Sequence, residues 1–402
     1  MNHLKYLNKF LDGAVVKHIP MGEIISRIRE KGKKNHGVHT VYSVSNTQGL
    51  VNAEDFRDNT VHSKDTSNYT IVHPGMFAYN PSRLNIGSIA LLKTDTAGLV
   101  SPMYVVFSVD KNIVTSDYLD LFIKSSYCKN KINSLTEEGA RFRFDFERWN
   151  LINVPVPPIK VQNEIVRILD TFTELTAELT AELTARQQQY AYYREQLLTF
   201  GERDVEWKIL KEIAVFSQGI QVDTSKQLSE RRDGFVRFLR IVDFVKDDEP
   251  PRYIKNPGER YIKNEGDLVM IRYGARAAGK VFLEYDGAIA NNMFQIKLTT
   301  QKITIAYLHY YLSQQKIYNF LNSNGGNSTI AAITFSQVGA IKIPLPNLSE
   351  QQRIVSILDK FNALTTSLTE GLPREIELRQ QQYEYYRDLL LSFPKPEVVA
   401  ND

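Results

Sequence analysis

The sequence predicts an α+β protein in which two similar globular domains are separated by two long antiparallel helices, a coiled coil, with pseudo-two-fold symmetry. Three observations predict it: an internal repeat of half the chain, two stretches with the apolar spacing of a helix, and runs of short strand-like segments between them.

The repeat is plain in two blocks. "INVPVPPIKVQNEIVRILDTF" (152–172) matches "IKIPLPNLSEQQRIVSILDKF" (341–361) at an offset of 189, pairing Pro155 with Pro344, Gln162 with Gln351 and Asp170 with Asp359. "RQQQYAYYREQLLTF" (186–200) matches "RQQQYEYYRDLLLSF" (379–393) at an offset of 193. Fainter matches run backwards, Tyr118 with Tyr307 and Gly98 with Gly287, while "HPGMFAYN" (73–80) lies two residues off register with "NEGDLVMIR" (264–272). These matches set four segments: domain 1 at 1–150 with a short N-terminal helix, helix 1 at 151–204, domain 2 at 205–340, and helix 2 with a tail at 341–402.

Helix 1 follows from spacing. Ile165, Ile168, Phe172, Leu175 and Leu179 recur at three and four residues, and Pro157 and Pro158 mark the start. It should run to about Leu198, roughly 60 Å at 1.5 Å per residue. Helix 2 starts near Ser349, but Gly371 and Pro373 should break or kink it. Neither helix can bury its stripe alone, so the two should pack antiparallel.

Within each domain, "GMFAYN", "GSIALL", "MYVVFSV", "DLVMIRYG", "KVFLEY" and "FQIKLT" are short, rich in Val, Ile, Phe and Tyr, and bounded by Gly, Asn or Asp. They should form mostly antiparallel strands. "SDYLDLFIKSSYCKNKINS" and "AYLHYYLSQQKIYNFLNS" should each form one helix near the domain's end.

Composition narrows the class. The chain has 402 residues, 43% apolar and 24% charged, which suits globular domains. "MNHLKYLNKFLDG" does not read as a signal peptide, and no apolar run nears the ~18 residues that span a bilayer, so no membrane role is expected. The single cysteine, Cys128, can form neither an internal disulfide nor a thiolate cluster, which fits a cytoplasmic protein with that residue buried. Net charge is +3, but it is unevenly placed: +4 in 1–150, −3 in 151–204, +4 in 205–340 and −2 in 341–402. The basic blocks are the ones expected to approach a polyanion.

Catalytic motifs fail on inspection. "GARAAGKV" (274–281) places Val281 where a nucleotide loop needs Ser or Thr. His36 and His39 lack a Cys or carboxylate partner, "EWK" (206–208) lacks an upstream acid, and "NPSR" (80–83) lacks the second proline and aromatic of an adenine-methyltransferase loop. No glycine-rich AdoMet loop follows a strand. The chain does not read as an enzyme.

Two similar but divergent basic modules on a long spacer suit the reading of two different half-sites on one DNA duplex. The same layout also suits a scaffold that grips two copies of a protein partner. The "P-x-P…Q…I-V-x-I-L-D" helix entries (155–170 and 344–359), the "RQQQY-x-YYR" exits and the tandem "TAEL" (176–183) resemble the specificity subunits of type I restriction-modification systems over the full length. That resemblance implies two target recognition domains, each reading half of a bipartite sequence of double-stranded DNA, with 14–150 reading one half and 205–340 the other. It implies helices that act as a ruler and dock two methyltransferase (M) subunits, with restriction (R) subunits joining for cleavage. It also implies that AdoMet, ATP and Mg belong to those partners, with no cofactor and no catalytic residue in this chain.

Base reading needs Arg or Lys for guanine and Asn or Gln for adenine, and phosphate grip needs cations. In domain 1 the candidates are Lys33, Lys34, Asn35, Asn80, Arg83, Arg141 and Arg143. In domain 2 they are Gln218, Gln221, Arg237, Arg240, Arg272, Tyr273, Arg276, Lys280, Asn324 and Asn327. Arg272 and Arg276 stand out because a Gly-rich turn lets the backbone approach the duplex. Tyr190 and Tyr193 continue the helical seam, whereas Tyr192 and Tyr385 fall off it and are candidates for contact with a methyltransferase.

The spacer itself steps by four, through Leu175, Leu179 and Leu183 in one copy and Leu364, Leu368, Leu372 and Ile376 in the other. A four-residue insertion adds about 6 Å and about 40° to a helix. It would lengthen the spacer while nearly keeping its faces.

Overall fold

The computed structural model describes residues 11, 13–32, 37–45, 48–53, 65–135, 142–246, 249–274, 277–322, 332–367 and 370–393. The chain divides into two compact units, residues 1–181 with 374–402, and residues 182–373. Each unit contains one α+β lobe and segments of the long helices.

Among the described residues lobe 1 has ten strands: β1 Lys17–Pro20, β2 Ile25–Ile28, β3 Val41–Ser45, β4 Gly49–Asn52, β5 Thr70–Val72, β6 Phe77–Tyr79, β7 Ile89–Leu91, β8 Gly98–Val100, β9 Val105–Val109 and β10 Asn153–Val156. They form sheets in the orders β2-β9-β6-β7 and β4-β3-β8-β5, with β1 and β10 as a separate pair. Lobe 2 repeats the plan with β11 Glu206–Ile209, β12 Ala214–Gln218, β13 Phe235–Leu239, β14 Arg252–Lys255, β15 Ile262–Lys263, β16 Leu268–Ile271, β17 Val281–Phe282, β18 Gly287–Ile289, β19 Met293–Leu298 and β20 Lys342–Leu345. Its sheets are β12-β19-β16-β17 and β14-β13-β18-β15, with β11 and β20 as the pair.

Register is repeated with the topology. Ile25 faces Val109 and Ala214 faces Leu298, both pairs 189 residues apart between lobes. The mixed sheet has one parallel pairing in each lobe, β3 with β8 and β13 with β18. A glycine sits at the start of the second strand of each pair, Gly98 and Gly287. A Cβ on Gly98 would meet the Tyr42 ring at 2.2 Å, and one on Gly287, at φ +151°, would meet the Arg237 carbonyl at 2.3 Å. Close approach of neighbouring chain explains why this glycine survives in both copies.

The stretch expected as one helix at each lobe's end is two. Lobe 1 has α1 Ser116–Lys124 and α2 Ser126–Ser134, and lobe 2 has α4 Ile305–Leu312 and α5 Gln315–Asn322, the intervening α3 being the long helix Ile159–Leu197. Ser125 is extended at φ −66°, ψ 154°, and its hydroxyl accepts from Cys128 N–H, so a new helix starts there. These helices cover one sheet. Phe77 stacks on Phe107 at 5.0 Å, and Phe144 and Tyr79 pack edge-on against the fully buried Trp149. Cys128 is buried in the same core.

After lobe 2 come α6 Phe335–Gly339, α7 Leu348–Thr366 and α8 Gly371–Leu390. The expected break is present: α7 stops before Ser367 and α8 begins at Gly371, φ +82°. A Cβ there would lie 2.5 Å from the Ala363 carbonyl, so only glycine fits this turn.

Within unit 1, Phe172 of α3 stacks on Tyr386 of α8 at 5.4 Å, and within unit 2, Tyr190 and Tyr193 of α3 stack on Phe361 of α7 at 6.1 and 5.8 Å. The early part of α3 therefore pairs with the later helix and its late part with the earlier one. That order is the antiparallel one.

The seam differs from the one spacing suggested. Ile165, Leu169, Phe172, Thr176, Leu179, Leu183, Arg186 and Tyr190 are buried or half-buried, alternating steps of four and three. This is a heptad pattern. Leu175 is 41% exposed and gives its place to Thr176. Each step of four advances a helix about 40° past a full turn, so Leu175, Leu179 and Leu183 cannot all face one partner. The Thr176 hydroxyl bonds back to the Phe172 carbonyl at 2.8 Å, and its counterpart Thr365 does the same to Phe361 at 2.8 Å. In the second copy Leu364 and Ile376 are half-buried and Leu372 is buried, while Leu368 lies outside the described residues.

Candidate nucleic-acid interface

In lobe 2 three chain segments converge at one end of the sheets: the exit of β12, the β16–β17 loop and the β18–β19 turn. Gly219 N–H donates to the Met293 carbonyl at 3.1 Å, Ile220 N–H to Ile289 at 2.9 Å, and Arg272 N–H to Asn292 at 2.9 Å. The β16–β17 loop is closed at its base by bonds from Ile271 N–H to the Lys280 carbonyl and from Gly279 N–H to the Ile271 carbonyl. These bonds bring Gln218, Gln221, Arg272, Tyr273 and Lys280 into one mouth. The Arg272 guanidinium lies over the Tyr273 ring at 5.9 Å. Gln218 Nε2 donates to the Asn291 carbonyl at 3.5 Å, and Asn291 Nδ2 donates to Gln221 Oε1 at 3.3 Å.

Two candidates of lobe 2 are held elsewhere. Arg240 is tied to both oxygens of Asp243, to Glu249 at 3.2 Å and to the Pro250 carbonyl, with its side chain 19% exposed. Those carboxylates hold its charge in place and push its pKa further up, chiefly through the Asp243 hydrogen bond. A guanidinium so neutralised is a poor phosphate ligand. Arg237 lies 3.7 Å over the ring of Tyr285, a non-glycine at φ +62°.

The corresponding mouth of lobe 1 is built the same way with different residues. Phe144 N–H donates to the Pro81 carbonyl at 2.9 Å, as Ile333 N–H donates to the Arg272 carbonyl at 2.8 Å. Asn80 is only 8% exposed; its Oδ1 accepts from Ser82 N–H at 3.0 Å and its amide contacts Met103 Sδ at 3.8 Å. It shapes the loop and is not free for a base edge, whereas Arg83 on the same loop is exposed. Arg143 is exposed and paired with Asp145 at 2.8 Å. Lys33, Lys34, Asn35, Arg141, Arg276, Asn324 and Asn327 lie outside the described residues.

Arg29, Met103, Asn291 and Asn292 were not among the candidates named from the sequence and are further candidates by their position in the two lobes. Strand register finds them: Arg29 follows β2 where Gln218 ends β12, and Met103 occupies the β8–β9 turn where Asn292 occupies the β18–β19 turn. The 189-residue offset, carried through the variable blocks, is the signal that would have located these turns.

The lobes are fixed to the helices by two glutamines. Gln162 and Gln351 are both fully buried. Each accepts from the N-cap residue of a lobe helix, Thr115 of α1 or Thr304 of α4, and donates to two carbonyls, Ile113 and Pro157 for Gln162, Lys302 and Pro346 for Gln351. Farther along, Tyr192 and Tyr385 are 61% and 64% exposed, each edge-on to the neighbouring Tyr193 or Tyr386 at 5.5 and 5.4 Å. The two tyrosines are thus presented alike.

Among the described residues no group of three His, Cys, Asp or Glu side chains could hold a metal ion, and no helix is long and apolar enough to cross a membrane. The family model described as "Type I restriction modification DNA specificity domain" matches residues 21–186 and again 202–378. The chain is 33% identical to the specificity subunit of the type I restriction enzyme EcoR124I/EcoR124II of Escherichia coli, over all of both chains. It is 37% identical to a putative type I restriction enzyme specificity subunit of Haemophilus influenzae, over 60% of this chain and 64% of that protein. A chain from a solved type I restriction-modification system shares the fold with TM-score 0.67 at 14% identity, covering 94% of this chain and 97% of that one. The HsdS subunit of Thermoanaerobacter tengcongensis shares it with TM-score 0.55 at 17% identity, covering 94% and 96%. Two copies of one lobe plan joined by long helices, matched twice by the family model and end to end by a relative, place this chain among the specificity subunits of type I restriction-modification systems, with a non-catalytic role in DNA specificity.

Proposed function

We propose that each lobe reads one half of a bipartite sequence in double-stranded DNA, and that the long helices set the distance between the halves. Residues 1–150 and 205–340 serve as the two target recognition domains, and 151–204 and 341–402 as the spacer. The single observation that carries this reading is that one strand plan occurs twice while the loops at its mouth differ: Gln218, Gln221, Arg272 and Asn291 in lobe 2, against Arg29, Arg83 and Met103 in lobe 1. A shared frame with divergent side chains suits two different half-sites. An identical pair would suit a palindrome.

The repeated Tyr192 and Tyr385 surfaces suit two copies of one partner, the methyltransferase (M) subunit, with restriction (R) subunits joining that complex. Adenine methylation and cleavage then belong to the partners, and this chain supplies address and spacing. The test is to mix the purified chain with its methyltransferase partner and map methylation on a random-sequence DNA library. A bipartite consensus with a fixed unread gap is expected; methylation without sequence preference would refute the reading.

A further inference from the structure

The mouth of lobe 2 carries an amide pair that no structural need of the turn explains. Asn291 and Asn292 form the tip of the β18–β19 turn, closed by Met293 N–H to the Ala290 carbonyl at 3.0 Å. Asparagine is common in turns because it tolerates positive φ or bonds its own backbone. Neither reason holds here: Tyr285 is the one non-glycine at positive φ among the described residues, and the Asn291 amide donates to the side chain of Gln221. Nor does the fold demand amides, since Pro102 and Met103 occupy the same turn in lobe 1. Asn292 Oδ1 is buried without a hydrogen-bond partner, an uncompensated cost at the same tip.

Resting on the reading of lobe 2 as a DNA-reading domain, we propose that Gln221 and Asn291, bridged side chain to side chain, act as one unit that reads an adenine in the half-site of that lobe. A primary amide has two N–H donors and one oxygen acceptor. The bridge uses one Asn291 N–H and the Gln221 oxygen, which leaves Gln221 Nε2 to donate and Asn291 Oδ1 to accept. In the major groove adenine offers N7 as acceptor beside the N6 amino donor, the complement of that pair. Guanine offers two acceptors, N7 and O6, and would set O6 against Asn291 Oδ1. The bridge therefore selects adenine before any DNA arrives, and Gln218, bonded to the Asn291 backbone, steadies the turn as a positioning residue.

The experiment uses the complex of the full chain with its methyltransferase partner, with methylation mapped for the parent and for Gln221→Ala and Asn291→Ala. Each variant is expected to lose discrimination by about five-fold or more at one A·T position of one half-site, leaving the other half-site and the gap intact. The intact half-site also reports that the protein is folded. In a parallel arm, replacing that adenine of a target duplex by 7-deazaadenine, which removes the N7 acceptor assigned to Gln221, should weaken binding of the parent complex and leave the Gln221→Ala complex unaffected. A parent with a bipartite target whose variants keep every position within two-fold, or lose a G·C position instead, would overturn the amide assignment alone. A parent without any bipartite target would overturn the functional reading beneath it.

Discussion

Gln162 and Gln351 make the same three backbone bonds in the two halves of the chain. Thr115 N–H reaches Gln162 Oε1 at 2.9 Å and Thr304 N–H reaches Gln351 Oε1 at 2.8 Å, while their amides bond the carbonyls five residues back at 2.9 and 2.8 Å. Both side chains are fully buried, and both tie the long helix to the cap of a lobe helix. Gln162→Leu or Gln351→Leu would leave one donor and two acceptors without partners in the interior. A loss of about 2–4 kcal/mol is expected from each, read by urea unfolding. Near-neutral behaviour of both would mean that water replaces the amide.

Gly371 is the point where the second helix restarts, at φ +82° with no room for a Cβ. Gly371→Ala should destabilise the protein by about 1–3 kcal/mol. The equivalent test in the unbroken α3, Thr180→Ala on its exposed face, should change stability by less than about 0.5 kcal/mol. Circular dichroism melts of the two variants separate the effects, and equal shifts would count against a required left-handed turn.

Burial pushes the Cys128 thiol well above its ordinary range, so the thiolate that reacts is scarce in the folded protein. At pH 8 a maleimide should leave native protein unlabelled over the time in which it fully labels protein in 6 M guanidinium, about 6 M being a standard denaturing concentration. Rapid labelling of native protein would place Cys128 nearer the surface than the core described above.

Tyr192 and Tyr385 project from the seam, and their removal exposes no cavity. The double variant Tyr192→Ala, Tyr385→Ala should keep the parent's unfolding midpoint. It should bind the methyltransferase partner roughly ten-fold or more weakly if both tyrosines are anchors. Unchanged affinity in an analytical titration would assign the docking surface elsewhere.

One added or deleted TAEL unit moves the helix by about 6 Å and about 40°. The unread gap should then change by about one or two base pairs at 3.4 Å each, with both half-sites unchanged. An altered half-site, or a constant gap, would argue against a ruler.

Much of the fold was legible because the repeat is strongest where burial is strictest. Gln162, Ile165 and Leu169 recur as Gln351, Ile354 and Leu358, all fully buried, and a core position tolerates little change. The seam differs at Leu175 because Leu and Thr stand side by side in every four-residue unit there, and only the partner helix decides which is inside. The single helices expected after each sheet are pairs; in lobe 1 Ser125 caps locally in a way that apolar spacing does not reveal. The site was harder to read. Arg240 and Asn80 have the residue types of base readers, but carboxylates and backbone partners brought in by the fold already occupy them. Asn291 carried no motif at all and emerged only through its contact with Gln221.

The most direct measurement replaces residues 205–340 with the corresponding lobe of a relative and maps DNA methylation in cells that express the chimaera with the methyltransferase partner. Independent lobes predict that one half-site changes, while the other half-site and the gap between them stay as in the parent. A change in both half-sites, or in neither, would contradict the assignment of one half-site to each lobe.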